Sequence, residues 1–246
     1  MTRSNVSMRD SYSGWKPLYK WSACLSAIML LIMLLQIAVF ILSPPPQSVE
    51  GFFQLYKESW IMGLLSMDLL YLINNAILVF VYLALWARLQ KEKPSLCLAA
   101  LVLGMIGIAC YYPSNPAFEM LTLSTKYWIA QPASQHMYIA AGEALLAGYT
   151  GTAFNAYYVL NAASLLLFSA AVYKSVHFSK AIGVWGLVSG VYMIVPSSAG
   201  QLGMVFSLLS LVPWAIFLYR LILRFHAFSK LGVANDMQSD IPFSQV

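Results

Sequence analysis

The sequence predicts an all-α protein, a polytopic helical transmembrane bundle of about six spans with interfacial helices on the external side. Three observations predict it. Of 246 residues, 60% are hydrophobic and only 9% charged, against roughly a quarter charged in soluble domains. The apolar residues gather into runs near the ~20 residues that a spanning helix needs. Those runs are too long, and alternate too little, for the ~10-residue strands of a membrane barrel.

The elements follow in chain order. Residues 1–19 form a polar cytoplasmic tail. The first span, 21–43, exceeds a secretory signal core, and Ser43-Pro44-Pro45-Pro46 offers no small-x-small cleavage site, so it reads as a retained helix. Spans two and three cover 61–87 and 95–112. An external helical segment, 117–150, follows as one helix over 117–129 and another over 133–150. Spans four to six cover 151–173, 181–196 and 203–223, completing a single domain over 20–228 before a second polar tail, 229–246. Both tails lack apolar periodicity, the signature of weak order. On span five, Gly183, Gly186 and Gly190 fit the small-xxx-small pattern of close helix contact, and Pro213 should kink span six.

The charges set the expected orientation. Of the 14 Lys and Arg residues, only Lys57 and Lys126 fall on the external side of this arrangement, the asymmetry expected when basic residues flank cytoplasmic span ends. Making 133–150 a seventh span would move Lys174, Lys180, Arg220, Arg224 and Lys230 outside and divide the charges evenly, so that model is rejected. Both termini are therefore expected in the cytoplasm. Asn5-Val6-Ser7 matches a glycosylation acceptor, but it falls on the cytoplasmic side and is expected to be inert.

Ionisable residues inside a bilayer cost at least ~2.5 kcal/mol on insertion scales and normally face the bundle interior. Asp68 lies seven residues into span two, and Asp68, Tyr71 and Asn75 share a helix face by their spacing, with Asn74 pointing elsewhere. On span four, Asn155, Tyr157, Tyr158 and Asn161 form a second polar cluster. Both clusters fall in the outer half and midplane, where Asn115 in a Pro-bearing turn and Glu143 on the external helix could join them. The expectation is an outward-opening polar pocket formed by Asp68, Tyr71, Asn75, Asn115, Glu143, Asn155, Tyr158 and Asn161, walled by aromatics such as Tyr111, Tyr112 and Trp128. A plainer reading stands beside it. Asn and Tyr often join helices through hydrogen bonds worth ~0.6 to 2 kcal/mol without any ligand, Asp68 could be a protonated acid bonded to a neighbour, and Glu143 could simply be solvated.

Several chemistries lack their residues. His136 is expected outside while His177 and His226 are cytoplasmic, so no zinc cluster can assemble. Cys24, Cys97 and Cys110 sit in separate spans without a pairing pattern. No phosphate-binding Gly-Lys loop, His-Glu-x-x-His or Gly-x-Ser-x-Gly elbow occurs. No catalytic residue, metal or other cofactor is expected, and no basic face presents itself to nucleic acid.

The segment Ala141-Gly142-Glu143-Ala144-Leu145-Leu146-Ala147-Gly148-Tyr149-Thr150-Gly151-Thr152-Ala153-Phe154, followed by Tyr157-Tyr158-Val159-Leu160, resembles an uncharacterised bacterial family of multipass membrane proteins, the domain of unknown function DUF4386. Phe178-Ser179-Lys180-Ala181, Val195-Pro196 with Gly200, and Leu208 to Trp214 resemble its closing hairpin, so the likeness spans about 20–228. The resemblance implies a bacterial cytoplasmic membrane protein of six or so helices without an assigned activity, and it draws Tyr149 and Thr152 into consideration beside Glu143.

Three functions remain open on these grounds. The first is binding or transport of a small amphipathic or lipid-like molecule in the polar pocket. The second is a membrane-embedded enzyme using Asp68 or Glu143 as acid or base on a lipid. The third is a structural or regulatory partner of another membrane protein acting through the Gly186–Gly190 face. The lipid bilayer is the one partner expected in every case; an oligomer is allowed but unsupported.

Overall fold

The computed structural model describes residues 14–230. The Asn5 acceptor and most of both tails lie outside the described residues. Ten helices make up the fold among those residues: α1 (Lys16–Leu42), α2 (Val49–Glu58), α3 (Trp60–Ser66), α4 (Leu69–Leu89), α5 (Pro94–Ser114), α6 (Ala117–Ile129), α7 (Pro132–Tyr149), α8 (Thr152–Lys174), α9 (Lys180–Tyr192) and α10 (Gly200–Lys230). Proline opens α1, α5 and α7 within the first turn, where its missing N–H has no intrahelical partner to lose. Five helical stretches are long and apolar enough to cross a membrane, and the chain is a multipass helical membrane protein.

Six helices form a closed ring in which α1 packs on α4, α4 on α5, α5 on α8, α8 on α9, α9 on α10 and α10 on α1. Large apolar side chains such as Leu34, Leu35, Ile106 and Val212 face outward, as a lipid-facing surface requires. Between helices, small hydroxyls donate to backbone carbonyls: Ser22 Oγ to Phe80 O at 2.9 Å, Ser164 Oγ to Ala100 O at 2.7 Å and Ser189 Oγ to Ser210 O at 3.3 Å. Helix α10 runs continuously through Pro213, with that last bond meeting a carbonyl one turn before the proline ring.

Two expected elements change. Span two is not one helix, because the chain breaks at Met67–Asp68 with Asp68 at φ 59°. Asp is among the few non-glycine residues that enter this left-handed region readily. The fifth pass is helical for 13 residues only, Lys180–Tyr192, about 20 Å at 1.5 Å per residue. Val195 precedes Pro196, which disfavours helical backbone there, and residues 193–199 complete the pass in turns. One helix was not foreseen: in α2, Val49, Phe52, Phe53 and Tyr56 fall on one buried face behind the Ser48 cap.

At one end α2, α3, α6 and α7 form a separate cap with its own apolar core around Phe53, Leu64, Met67 and Met120. Tyr56 Oη donates to Ala117 O at 2.8 Å, and Trp128 Nε1 donates to Phe53 O at 3.1 Å. The stretch expected as an external helix, 133–150, belongs to this cap. A Cβ at Gly142 would lie 2.4 Å from Val49 Cγ1, so α7 sits tightly on α2.

The opposite end gathers Lys16, Lys20, Arg88, Lys91, Lys93, Lys174, Lys180, Arg224 and Lys230, since the contacts there join the start of α1 to the ends of α4, α8 and α10. Trp15 meets Trp86, Tyr19 meets Phe225 and Phe228, and Phe178 meets Phe228. Three of the polar contacts converge on His177. Arg88 Nη2 lies 2.9 Å from His177 Nδ1, Glu92 Oε1 lies 3.2 Å from His177 Nε2, and Arg224 Nη2 donates to the His177 carbonyl. Arginine can only donate, so Nδ1 accepts and the ring proton sits on Nε2.

Burial, and the nearby Arg88 and Arg224 guanidiniums, hold the His177 pKa below its ordinary 6.5 against the opposing pull of Glu92. Below that value an unfolded chain takes a proton that the folded chain resists, so stability present above it is lost as the pH falls. Thermal unfolding of the detergent-purified protein should therefore weaken as the pH drops through 6.5, and His177→Gln should flatten that slope. An unchanged slope in the variant would assign the acid sensitivity to another group.

Candidate functional site

A cavity of about 440 Å³ lies inside the ring, bounded chiefly by α1, α4, α8 and α10. Its position follows from the packing. Toward the basic end the interior is filled by Phe168, Phe217, Leu221 and Phe225, all at most 1% exposed. Toward the cap the ring interior carries amides, tyrosines and Asp68, which leave space between them.

Five of the eight residues expected at a pocket meet around this cavity: Asp68, Tyr71, Asn75, Tyr158 and Asn161. Tyr82 Oη donates to Asn161 Oδ1 at 3.0 Å, which joins span two to span four across the interior. Tyr158 Oη donates to Ser207 Oγ of α10 at 2.8 Å. Rings of Tyr111, Phe154, Tyr157 and Tyr158 stand in sequence along one wall, with Tyr111 and Tyr157 centroids 4.7 Å apart.

The other three lie elsewhere. Asn115 spans the break in the second pass: its Nδ2 donates to Met67 O at 2.7 Å, while its Oδ1 accepts from Ala117 N at 3.1 Å. Asn155 closes the turn before α8 by donating to Thr150 O and Gly151 O and accepts from Ser198 Oγ at 2.6 Å. Glu143 is exposed on α7 and does not line the cavity. Of the expected aromatic walls, Tyr111 lines the cavity, Tyr112 Oη donates to Leu72 O, and Trp128 belongs to the cap beneath Lys57.

The expectation that Asn74 points away from the site is corrected, because the break at Asp68 removes the single helical face on which that inference relied. Asn74 is 8% exposed and lines the cavity. Sequence reasoning misses Gln36, Tyr82 and Ser207, while Tyr157 of the span-four cluster also lines the cavity. Gln36 had a signal, as the lone amide within the first apolar run. It donates through Nε2 to Leu65 O at 3.2 Å, a carbonyl that also accepts from Asp68 N at 3.2 Å, so Gln36 and Asn115 both donate to carbonyls where the helix breaks. Tyr149, at the end of α7, donates to Asp68 Oδ2 and joins the cap to the cavity.

Two of the amides each direct an N–H to backbone. Asn75 Nδ2 donates to Tyr71 O and Asn161 Nδ2 to Tyr157 O, each at 3.0 Å. Left without a protein partner are the buried oxygens Gln36 Oε1, Asn74 Oδ1 and Asp68 Oδ1. Among the described residues, no three His, Cys, Asp or Glu side chains come together to hold a metal ion.

The glycine face expected to be free for another membrane protein is occupied within the chain. A Cβ at Gly183 would lie 2.6 Å from Tyr173 Cβ, one at Gly186 would lie 2.1 Å from Ser169 Oγ, and one at Gly190 would lie 2.8 Å from Leu166 Cγ. The stripe is thus the seam between α9 and α8.

The family described as Domain of unknown function (DUF4386) matches residues 25–230, and the chain belongs to that family. No curated protein and no solved structure matches it.

Leaving a buried carbonyl unpaired costs about 1–3 kcal/mol. Asn115→Leu, which orphans the Met67 carbonyl, should lower the thermal midpoint in detergent, Gln36→Leu should lower it less because the Leu65 carbonyl keeps the Asp68 N–H, and Glu143→Gln should leave it unchanged. Midpoints indistinguishable among the three would mean that the break is held by something other than these amides.

Proposed function

We propose that this member of the DUF4386 family binds a small amphipathic or lipid-like molecule in the cavity between α1, α4, α8 and α10. The observation that carries the reading is the composition of the walls. Asp68, amides and tyrosines line one part, while Met29, Met33, Met193, Met204 and Leu211 line another, and flexible thioethers adapt to a chain of undefined shape. Pockets that combine an apolar lining with a few convergent polar groups are the usual form of small-molecule sites.

The way in is from the cap half. Met204 and Leu208 line the cavity yet are 57% and 60% exposed, so the wall is thin between α1 and α10, where a tail could enter from surrounding lipid. We place the cap on the external face of a bacterial cytoplasmic membrane and both termini in the cytoplasm. The gathering of basic residues at the opposite end supports that orientation.

Two measurements test this. Denaturing extraction of the wild-type protein purified in native lipid should release a small molecule that the double variant Asn75→Leu, Asn161→Leu does not retain; equal release from both, or none from either, would sink the binding reading. For orientation, single cysteines at Lys57 and Lys126 in a background lacking the native cysteines should react with a membrane-impermeant maleimide in intact cells, while one at Lys91 should not. The reverse pattern would invert the topology without touching the cavity.

A further inference from the structure

Resting on the reading that the cavity binds an amphiphile, we infer that its ligand is an amphipathic cation, an ammonium group on an apolar chain without a phosphate. Asp68 Oδ1, Gln36 Oε1 and Asn74 Oδ1 are the partnerless groups that would receive it.

The acceptor at Gln36 is assigned by geometry. Gln36 Nε2 donates to the Leu65 carbonyl; reversing the amide would set oxygen against oxygen, so Oε1 is the atom left over. Gln36 is 3% exposed and Asn74 8%, and a buried acceptor without a donor is costly. Tyr149 supplies one donor to Asp68, on Oδ2, which leaves Oδ1 without one. Asn75 and Asn161 each direct one N–H to backbone. Three hydroxyls of the lining are already committed as donors, Tyr82 to Asn161, Tyr158 to Ser207, and Ser210 Oγ to the Ser207 carbonyl.

A site of leftover oxygens selects a ligand rich in donors, and the carboxylate selects a positive one. Aromatic faces add to the preference, because Tyr111, Phe154 and Tyr157 line the same space and attract cations through their ring quadrupoles. The charge balance also excludes a phosphate. Among the described residues, none of those lining the cavity is Lys, Arg or His, so a phosphodiester drawn in with an amine would be buried without a counter-charge. A zwitterionic phospholipid therefore fits poorly, and a single-headed amine fits well. The methionine and leucine wall takes its chain.

The experiment is calorimetric titration of the full-length protein in nanodiscs, corrected against empty nanodiscs, with octylamine, octanol, octanoate and a short-chain phosphatidylethanolamine. Octylamine should bind at least tenfold more tightly than the other three. Asp68→Asn should remove that preference while leaving octanol affinity within about twofold of wild type, and Asn74→Leu should reduce octylamine affinity severalfold, so the inference remains testable if either variant folds poorly. Equal affinity for octylamine and octanol would overturn the cationic assignment and leave the binding reading standing, as would phosphatidylethanolamine matching octylamine. Sodium chloride displacing octylamine more strongly than choline chloride at equal ionic strength would reassign the oxygens to a metal cation and overturn the inference. Failure of all four probes to bind would overturn the binding reading itself.

Discussion

The arrangement depends on how a broken helix is accommodated inside an apolar layer. A helix may stop within a membrane only if the backbone groups it releases find partners in the protein. At Met67–Asp68 those partners are side chains from other passes: Gln36 reaches the Leu65 carbonyl from α1, and Asn115 reaches the Met67 carbonyl from the end of α5. The break turns Asp68 into the ring, starts α4 afresh, and separates a short cap helix from a long spanning one. The cap is thereby tied to the bundle through the backbone as well as through the Tyr149–Asp68 contact.

The chemistry of the cavity follows from the same constraint. Amide donors near a helix break, or one turn into a helix, are used on carbonyls because the backbone offers acceptors and little else to meet. Asn75 and Asn161 repeat this locally, each donating to the carbonyl four residues back. Among the residues lining the cavity, the buried side-chain atoms left without a partner are oxygens. An acceptor-rich cavity needs no separate explanation, then; it is what results when several amides serve backbone needs around one carboxylate.

Much of this was legible in the sequence. The all-α bundle of long apolar helices and the helices α6 and α7 followed from apolar length, and the shared lining by polar residues of spans two and four from residue spacing. The break at Asp68 did not, because an apolar run from Trp60 to Leu89 contains neither glycine nor proline at the point of fracture. What breaks the helix is tertiary, two amides distant in sequence, and propensity cannot report them. Treating the run as one helix then misdirected Asn74 and gave Asp68 the right neighbours for the wrong reason. Asn115 and Asn155 show the opposite failure. Polar residues at turns look the same in sequence whether they face a ligand or close the turn, and both of these spend their amides on backbone.

The two ends of the ring differ in a way that bears on binding against transport. At the cap end polar side chains line the interior, and Met204 and Leu208 of α10 both line the cavity and are exposed on the outer surface. At the basic end, Phe168, Phe217, Leu221 and Phe225 fill the interior, and the loop carrying His177 ties α8 and α9 to α4, α10 and Glu92. A molecule crossing from one side to the other would have to part this packed layer and that network together. A molecule resting in the cavity need only displace flexible methionine and leucine side chains near the lipid. The second demand is far smaller, so the binding role proposed above asks less of this arrangement than conduction through it would.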